Sequence, residues 1–195
     1  MQEEKTLQQE LRTAQRKTAK PMLWISIISM IMFFAGLTSA YVISMKREDW
    51  VSFDLPQAFY TSTAAIVLSS ITLIIAKRLI KQNKLQLSLI FTVVTFVLGL
   101  VFVWLQYVGF NELKSIGLYF TGPESTVSTS FIIGITFMHV LHLIAGIVVL
   151  LVLIINQIRK KYHAEDVLGF ELGAIFWHFV DILWIYLFLF FNFIK

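Results

Sequence analysis

Residues 128–155 read STSFIIGITFMHVLHLIAGIVVLLVLII. These 28 residues hold no acid, lysine or arginine, and their polar groups are Ser, Thr and two histidines, His139 and His142. An α-helix rises 1.5 Å per residue, so about 20 apolar residues cross ~30 Å of hydrocarbon. The stretch therefore predicts a membrane-crossing helix. Four further stretches of 20 to 24 residues have the same character, at 22–45, 57–76, 86–109 and 171–194. The sequence thus predicts an all-α polytopic membrane protein, a bundle of five transmembrane helices.

Composition agrees. The chain of 195 residues is 57% hydrophobic and 14% charged, where a soluble domain has about 45–50% and 25%. Disorder is excluded, since it needs low hydrophobicity and high charge. No connection is long enough to hold a separate soluble domain. The expected division is a cytoplasmic amphipathic N-terminal segment at 1–20 and one transmembrane domain at 21–195. Leu7 and Leu11 form a thin i,i+4 apolar pair in that segment, and Pro21 is expected to break its helix before the first span. Residues 1–20 lack the apolar core of a signal peptide, so the first span is expected to stay in the mature protein. The chain has no cysteine, which excludes disulfides, iron–sulfur clusters and Cys-type zinc sites.

The net charge of +4 does not mark a nucleic-acid surface, because of where it sits. Twelve of the sixteen basic residues lie in the head (Lys5, Arg12, Arg16, Lys17, Lys20), the second connection (Lys77, Arg78, Lys81, Lys84) and the fourth (Arg159, Lys160, Lys161). Basic residues mark the cytoplasmic side. The N-terminus is therefore expected inside and the C-terminus outside, with the clusters touching anionic lipid. The fourth connection also carries His163, Glu165 and Asp166, and the third a Gly122-Pro123 turn signal.

Small residues at Ala35, Gly36, Ser39 and Ala40 would allow close approach to the first span. The second span is rich in Ser, Thr and Ala, a face expected to pack on protein. Deep ionisable groups occur only in the fourth and fifth spans. At 100° per residue Glu171, Ala174, His178 and Asp181 form one narrow stripe; His139, His142 and Gly146 form another. With antiparallel spans, His139 and Asp181 both reach mid-membrane, ~16 Å and ~15 Å from the ends of their helices. A buried polar contact between the two stripes is expected.

Such a cluster has four readings. Haem ligation needs imidazoles on opposite faces of the iron. His139 and His178 lie on different helices, although an i,i+3 pair such as His139 and His142 is not a haem motif. Metal binding has acceptable ligands in His139, His142, His178 and Asp181. A proton relay can run through His and Asp. The fourth and favoured reading is structural, with satisfied hydrogen bonds fixing helix packing.

The string Phe170-Glu171, five residues, then Trp177-His178-Phe179-Val180-Asp181 and Trp184 resembles the signature of the cytochrome c oxidase subunit III family. Ser130, Thr136, Phe137, His139, His142 and Gly146 resemble the family's pattern in the preceding helix. Phe33-Phe34-Ala35-Gly36 with Ala40-Tyr41, and Leu98-Gly99-Leu100 with Gln106, resemble two others. The resemblance covers about residues 20–194, and five spans look like the family's shorter form. Departures are Met30 for the family's carboxylate before the first motif, so that acid's proton-handling role does not transfer. Further departures are Gly109 for an acid, Phe137 for a glycine, Val140-Leu141 between the histidines, and Leu168 for a histidine.

The resemblance implies a non-catalytic subunit of a haem–copper terminal oxidase in the aerobic respiratory chain, in a bacterial plasma membrane. It would carry no cofactor of its own. Haem and copper would sit in the partner subunits I and II. The chain would stabilise subunit I, hold phospholipid and support proton uptake. The expected polar core is His139, His142, Glu171, Trp177, His178 and Asp181. Expected lipid or subunit contacts are Phe33, Phe34, Gly36, Gln106, Gly146 and Trp184. Alternatives are a related subunit of a quinol oxidase or nitric oxide reductase, a proton-coupled transporter working alone, and a membrane-anchored haem b protein.

Overall fold

The computed structural model describes residues 2–48, 50, 55–115, 126–162 and 167–194, with backbone only for 2–12 and 15. His163, Glu165, Asp166 and the Gly122-Pro123 turn lie outside the described residues, and so do the side chains of Leu7 and Leu11. Five helices follow one another: α1 Gln2–Ser44, α2 Gln57–Lys81, α3 Leu85–Ser115, α4 Val127–Ile158 and α5 Leu168–Phe193. Among the described residues there is no strand. All five helices are long and apolar enough to cross a membrane. The helices overrun most of the apolar stretches, α2 to Lys81 and α3 to Ser115. Backbone hydrogen bonding continues into the polar flanks, where long basic side chains reach water from a helical backbone.

Pro21 lies inside α1 and does not end it, contrary to expectation. Its ring leaves the carbonyl of residue 17 without an intrahelical donor. Lys17 is exposed at the polar end of the helix, where solvent can serve that carbonyl, so the helix continues.

The α2–α3 connection is a tight hairpin. Asn83, at φ 60°, takes the left-handed conformation that asparagine tolerates. Its N–H donates to the Ile80 carbonyl at 2.9 Å, and that of Lys84 to Leu79 at 3.0 Å. Ser88 Oγ on α3 then donates to the Ala76 carbonyl of α2 at 2.9 Å. At the start of α4, Thr126 caps the helix by accepting from the Thr129 N–H.

The helices form three layers. α4 and α5 pack together in the middle, α1 lies against both of them, and the α2–α3 hairpin covers the other side, α2 on α5 and α3 on α4. More than half of the most apolar part of α5 is buried, against a third or less in the other helices. α5 is therefore the axis of the bundle. The outer faces carry exposed apolar side chains such as Ile25, Met32, Val97, Leu100, Ile144 and Val148. That much open apolar surface belongs in lipid.

α1 does not pack through its small residues. Its buried face is Ile27, Phe34, Thr38 and Tyr41, a helical stripe in which two large rings fill the seam between α4 and α5. A β-carbon at Gly36 would meet nothing within 4 Å. Close approach instead occurs at Gly99, Gly109, Gly146 and Gly173.

Candidate functional site

α2 is the hub of the polar interior. Its Ser62, Thr63, Ser69 and Ser70 sit on the side facing α3 and α5, and their hydroxyls bond side chains there. Gln106 Nε2 of α3 donates to Ser62 Oγ at 3.0 Å. Trp177 Nε1 donates to Ser69 Oγ at 3.1 Å, and Trp184 Nε1 to Thr63 Oγ1 at 2.9 Å. Thr72 and Thr95 link α2 to α3 at 2.8 Å. Ser62, Thr63 and Ser69 can accept these N–H groups because each gives its own proton to a carbonyl of the preceding turn. Ser62 donates to Phe59 and Ser69 to Ile66.

Ser70 joins two residues of the predicted α5 stripe. Its hydroxyl donates to Asp181 Oδ2 and lies 3.0 Å from His178 Nδ1. Asp181 is 1% exposed, and its other oxygen, Oδ1, meets no hydrogen-bond partner among the described residues.

Glu171 begins the same stripe at the basic end of the bundle. It sits 3.2 Å from Lys20 of α1, and 3.3 and 3.8 Å from Lys77 and Lys81 of α2. One carboxylate thus gathers three helices. The contacts also place the basic ends of α1 and α2 and the start of α5 on one side of the bundle.

Trp177 is wedged among four helices. Its ring edge occupies the space of a β-carbon at Gly99 on α3 and at Gly146 on α4, with ideal separations of 2.7 and 3.0 Å. Gly146 therefore makes room for an indole rather than for another backbone. Gly173 does serve close helix approach, against Leu153 and Val149 of α4.

The α4 histidines do not contact the Asp181 group through hydrogen bonds, which corrects the expected joining of the two stripes. His139 is fully buried, but neither ring nitrogen has a hydrogen-bond partner among the described residues. Its ring is enclosed by Trp184 at 5.3 Å, Phe102 at 6.2 Å and Phe34 at 6.5 Å. His142 is half-buried and bonds its own helix, Nδ1 to the Met138 carbonyl at 2.7 Å. The depth argument placed His139 level with the middle of α5. The rotation about the axis instead turns it onto Trp184, one turn beyond Asp181.

Of the residues expected to touch lipid or another subunit, Phe34, Gln106, Gly146 and Trp184 are interior. Phe33 and Gly36 are exposed. Phe34 also borders a cavity of about 410 Å³ between α1 and α5, with Ala35, Phe179 and Tyr186.

Chemically, the arrangement binds helices together. Among the described residues no three His, Asp or Glu side chains gather as a metal site would require. Sequence reasoning anticipated the α5 stripe but missed its partners, Ser69, Ser70, Thr63 and the three lysines. The Ser/Thr richness of the second span was the available signal.

The family model described as cytochrome c oxidase subunit III matches residues 1–194. The chain belongs to that family. It is 30% identical to cytochrome c oxidase subunit 3 of Tetraodon nigroviridis over 128 residues, which are 66% of this chain and 47% of that protein. The Gadus morhua protein of the same name gives the same identity and coverage. That of Cyprinus carpio is 31% identical over 127 residues, 65% of this chain and 46% of the fish protein. The chain spans about half the length of the curated relatives it matches. Membership and the five crossings together make it a multi-pass membrane protein of the cytochrome c oxidase subunit III family.

Proposed function

We propose that the chain is the non-catalytic subunit III of a haem–copper terminal oxidase in a bacterial plasma membrane. It stabilises the catalytic subunit I, adjoins subunit II, holds phospholipid and supports proton uptake. Haem and copper reside in the partner subunits. The basic clusters favour an N-terminus on the cytoplasmic side.

The observation that carries this reading is the engagement of the motif residues by neighbouring helices within a chain of this family. Trp177 bonds Ser69, and His178 and Asp181 bond Ser70. Glu171 bonds Lys20 and Lys77. Groups held in this way fix a scaffold. The exposed apolar belt gives that scaffold surface to offer to lipid and to a catalytic neighbour.

The test is purification of the tagged chain from its native membrane in mild detergent. Co-elution with haem-bearing and copper-bearing polypeptides is the expected result. A copper-bearing neighbour identifies the cytochrome c branch, and its absence beside haem points to a quinol oxidase or nitric oxide reductase. Stable, proton-coupled transport by the chain without partners would overturn the proposal, as would a Soret band in the isolated chain.

A further inference from the structure

In the half of the bundle away from the basic end, Gln106 Oε1, Thr136 Oγ1 and both ring nitrogens of His139 are buried with no hydrogen-bond partner among the described residues. The three residues are 1% exposed or less.

The register of α3 on α4 brings them to one place. At the basic end Gln157 Nε2 of α4 donates to Ser88 Oγ of α3 at 3.0 Å. Further along, a β-carbon at Gly99 would lie 3.8 Å from Ile147 Cγ1, and the rings of Phe102 and His139 are 6.2 Å apart. The two helices therefore run antiparallel. Gln106 stands two turns beyond Gly99 on the same face of α3, about 10 Å along it. His139 stands about 12 Å from Ile147 in the matching direction, level with Gln106. Thr136 is one turn further. It lies three turns from Ile147, and so on the face that Ile147 turns to α3.

Thr136 also behaves unlike the other buried hydroxyl residues. Thr38, Ser62, Ser69, Thr92 and Thr95 each give the hydroxyl proton to a carbonyl three or four residues back. That bond is open to a serine or threonine in any helix, yet the Thr136 hydroxyl does not make it. Gln106 Oε1 can only accept, since the other end of its amide donates to Ser62. Thr136 offers one O–H, and a neutral imidazole offers one N–H and one bare nitrogen. A single water donates twice and accepts twice, so it can serve an amide oxygen, a hydroxyl and an imidazole nitrogen together. Leaving these atoms bare costs more than immobilising one water.

We infer that the α3–α4 seam holds a buried water site, with water bridging Gln106, Thr136 and His139. The bridge fastens the far halves of α3 and α4, as the direct Gln157–Ser88 bond fastens their basic ends. Phe102 and Trp184, packed on the His139 ring, wall the site off from lipid. The bridge depends on α3 and α4 alone and not on the oxidase assignment.

The first experiment is a cryo-EM map of the unaltered chain in its native membrane assembly, at a resolution that shows ordered water. An isolated peak is expected within hydrogen-bond distance of Gln106 Oε1 and of Thr136 Oγ1 or a His139 nitrogen. No peak there would overturn the site. So would density continuous with a protein side chain or an acyl chain.

The second experiment reads a sign. Thr136→Val keeps the shape of the side chain and removes its hydroxyl. With water bound, the unfolding midpoint of the full chain in detergent should fall by about 2–4 °C, the shift expected for one lost bridge in a chain of this size. A bare buried hydroxyl is a burden, so an unchanged or raised midpoint would overturn the proposal. His139→Phe should lower the midpoint too. Thr136→Val/His139→Phe should lose less than the two single losses added, because the side chains share one ligand. Strict additivity would overturn the shared bridge. The map decides the question even where a variant fails to fold.

Discussion

The indole of Trp177 stands where a side chain at Gly99 would have to be, its Cη2 2.7 Å from an ideal β-carbon there. The ring cannot retreat. Its nitrogen is bonded to Ser69, and its other edge lies against Gly146. Gly99→Ala should therefore destabilise the bundle by about 1–3 kcal/mol, the usual cost of overpacking. Gly36→Ala, with nothing within 4 Å, should leave fold stability unchanged or slightly raised, since alanine is the better helix former. Thermal unfolding of both variants in detergent checks the contrast. Equal stability of the two would remove the wedge as a constraint.

Ser69→Ala strips the Trp177 N–H of its acceptor in a fully buried position. Bonds between helices in a membrane are typically worth about 0.6 kcal/mol and at most ~1.7, and an orphaned buried donor adds to that loss. A destabilisation of about 1–2 kcal/mol is expected. Ser70→Ala should lose more than Ser69→Ala, because it releases both His178 and Asp181. Comparing unfolding midpoints of the two alanine variants decides the order.

Asp181→Leu removes the carboxylate that Ser70 holds and puts an apolar chain of similar size in the interior. Recovery of the intact complex should fall more than turnover per complex. The measurement pairs haem-normalised yield with oxygen consumption per haem. Full recovery with collapsed turnover would assign Asp181 a proton role instead.

Glu171→Gln leaves Lys20, Lys77 and Lys81 facing one another without their common acid. These groups are partly exposed, so screening limits the loss to about 1 kcal/mol. The unfolding midpoint should fall by a few degrees at low salt, and the difference should shrink as salt is added. A salt-independent deficit would mean that packing, not charge, is what Glu171 contributes.

Span number, helix class and the one-sided α5 stripe were legible because each depends on residues close together in the chain. The length of an apolar run and a 100° step are local quantities. The partner of the stripe was not legible. Asp181 and His139 have suitable depth for a contact, yet rotation of α4 about its axis decides whether they meet, and His139 turns onto Trp184. Ser70 looked like one of many small polar residues in a permissive face. Only the docking of α2 on α5 gives it two ligands.

The small-residue rule misled at α1 and succeeded elsewhere for a related reason. Gly36 looked like a contact because glycine permits approach, but permission is not contact. Gly99 and Gly146 matter because a particular ring, distant in sequence, comes to fill them. Pro21 failed to break α1 because the bond it removes lies at a solvated end.

The layering has a consequence for biosynthesis. α1 leaves the ribosome first, yet its seat is built by α4 and α5, which are synthesised last. Until translation has passed Phe193 the α5 side of that seat is missing, and the sparsely buried surface of α1 suits it to wait in lipid. Closure of Phe34 and Tyr41 onto the α4–α5 pair therefore waits on the synthesis of α5.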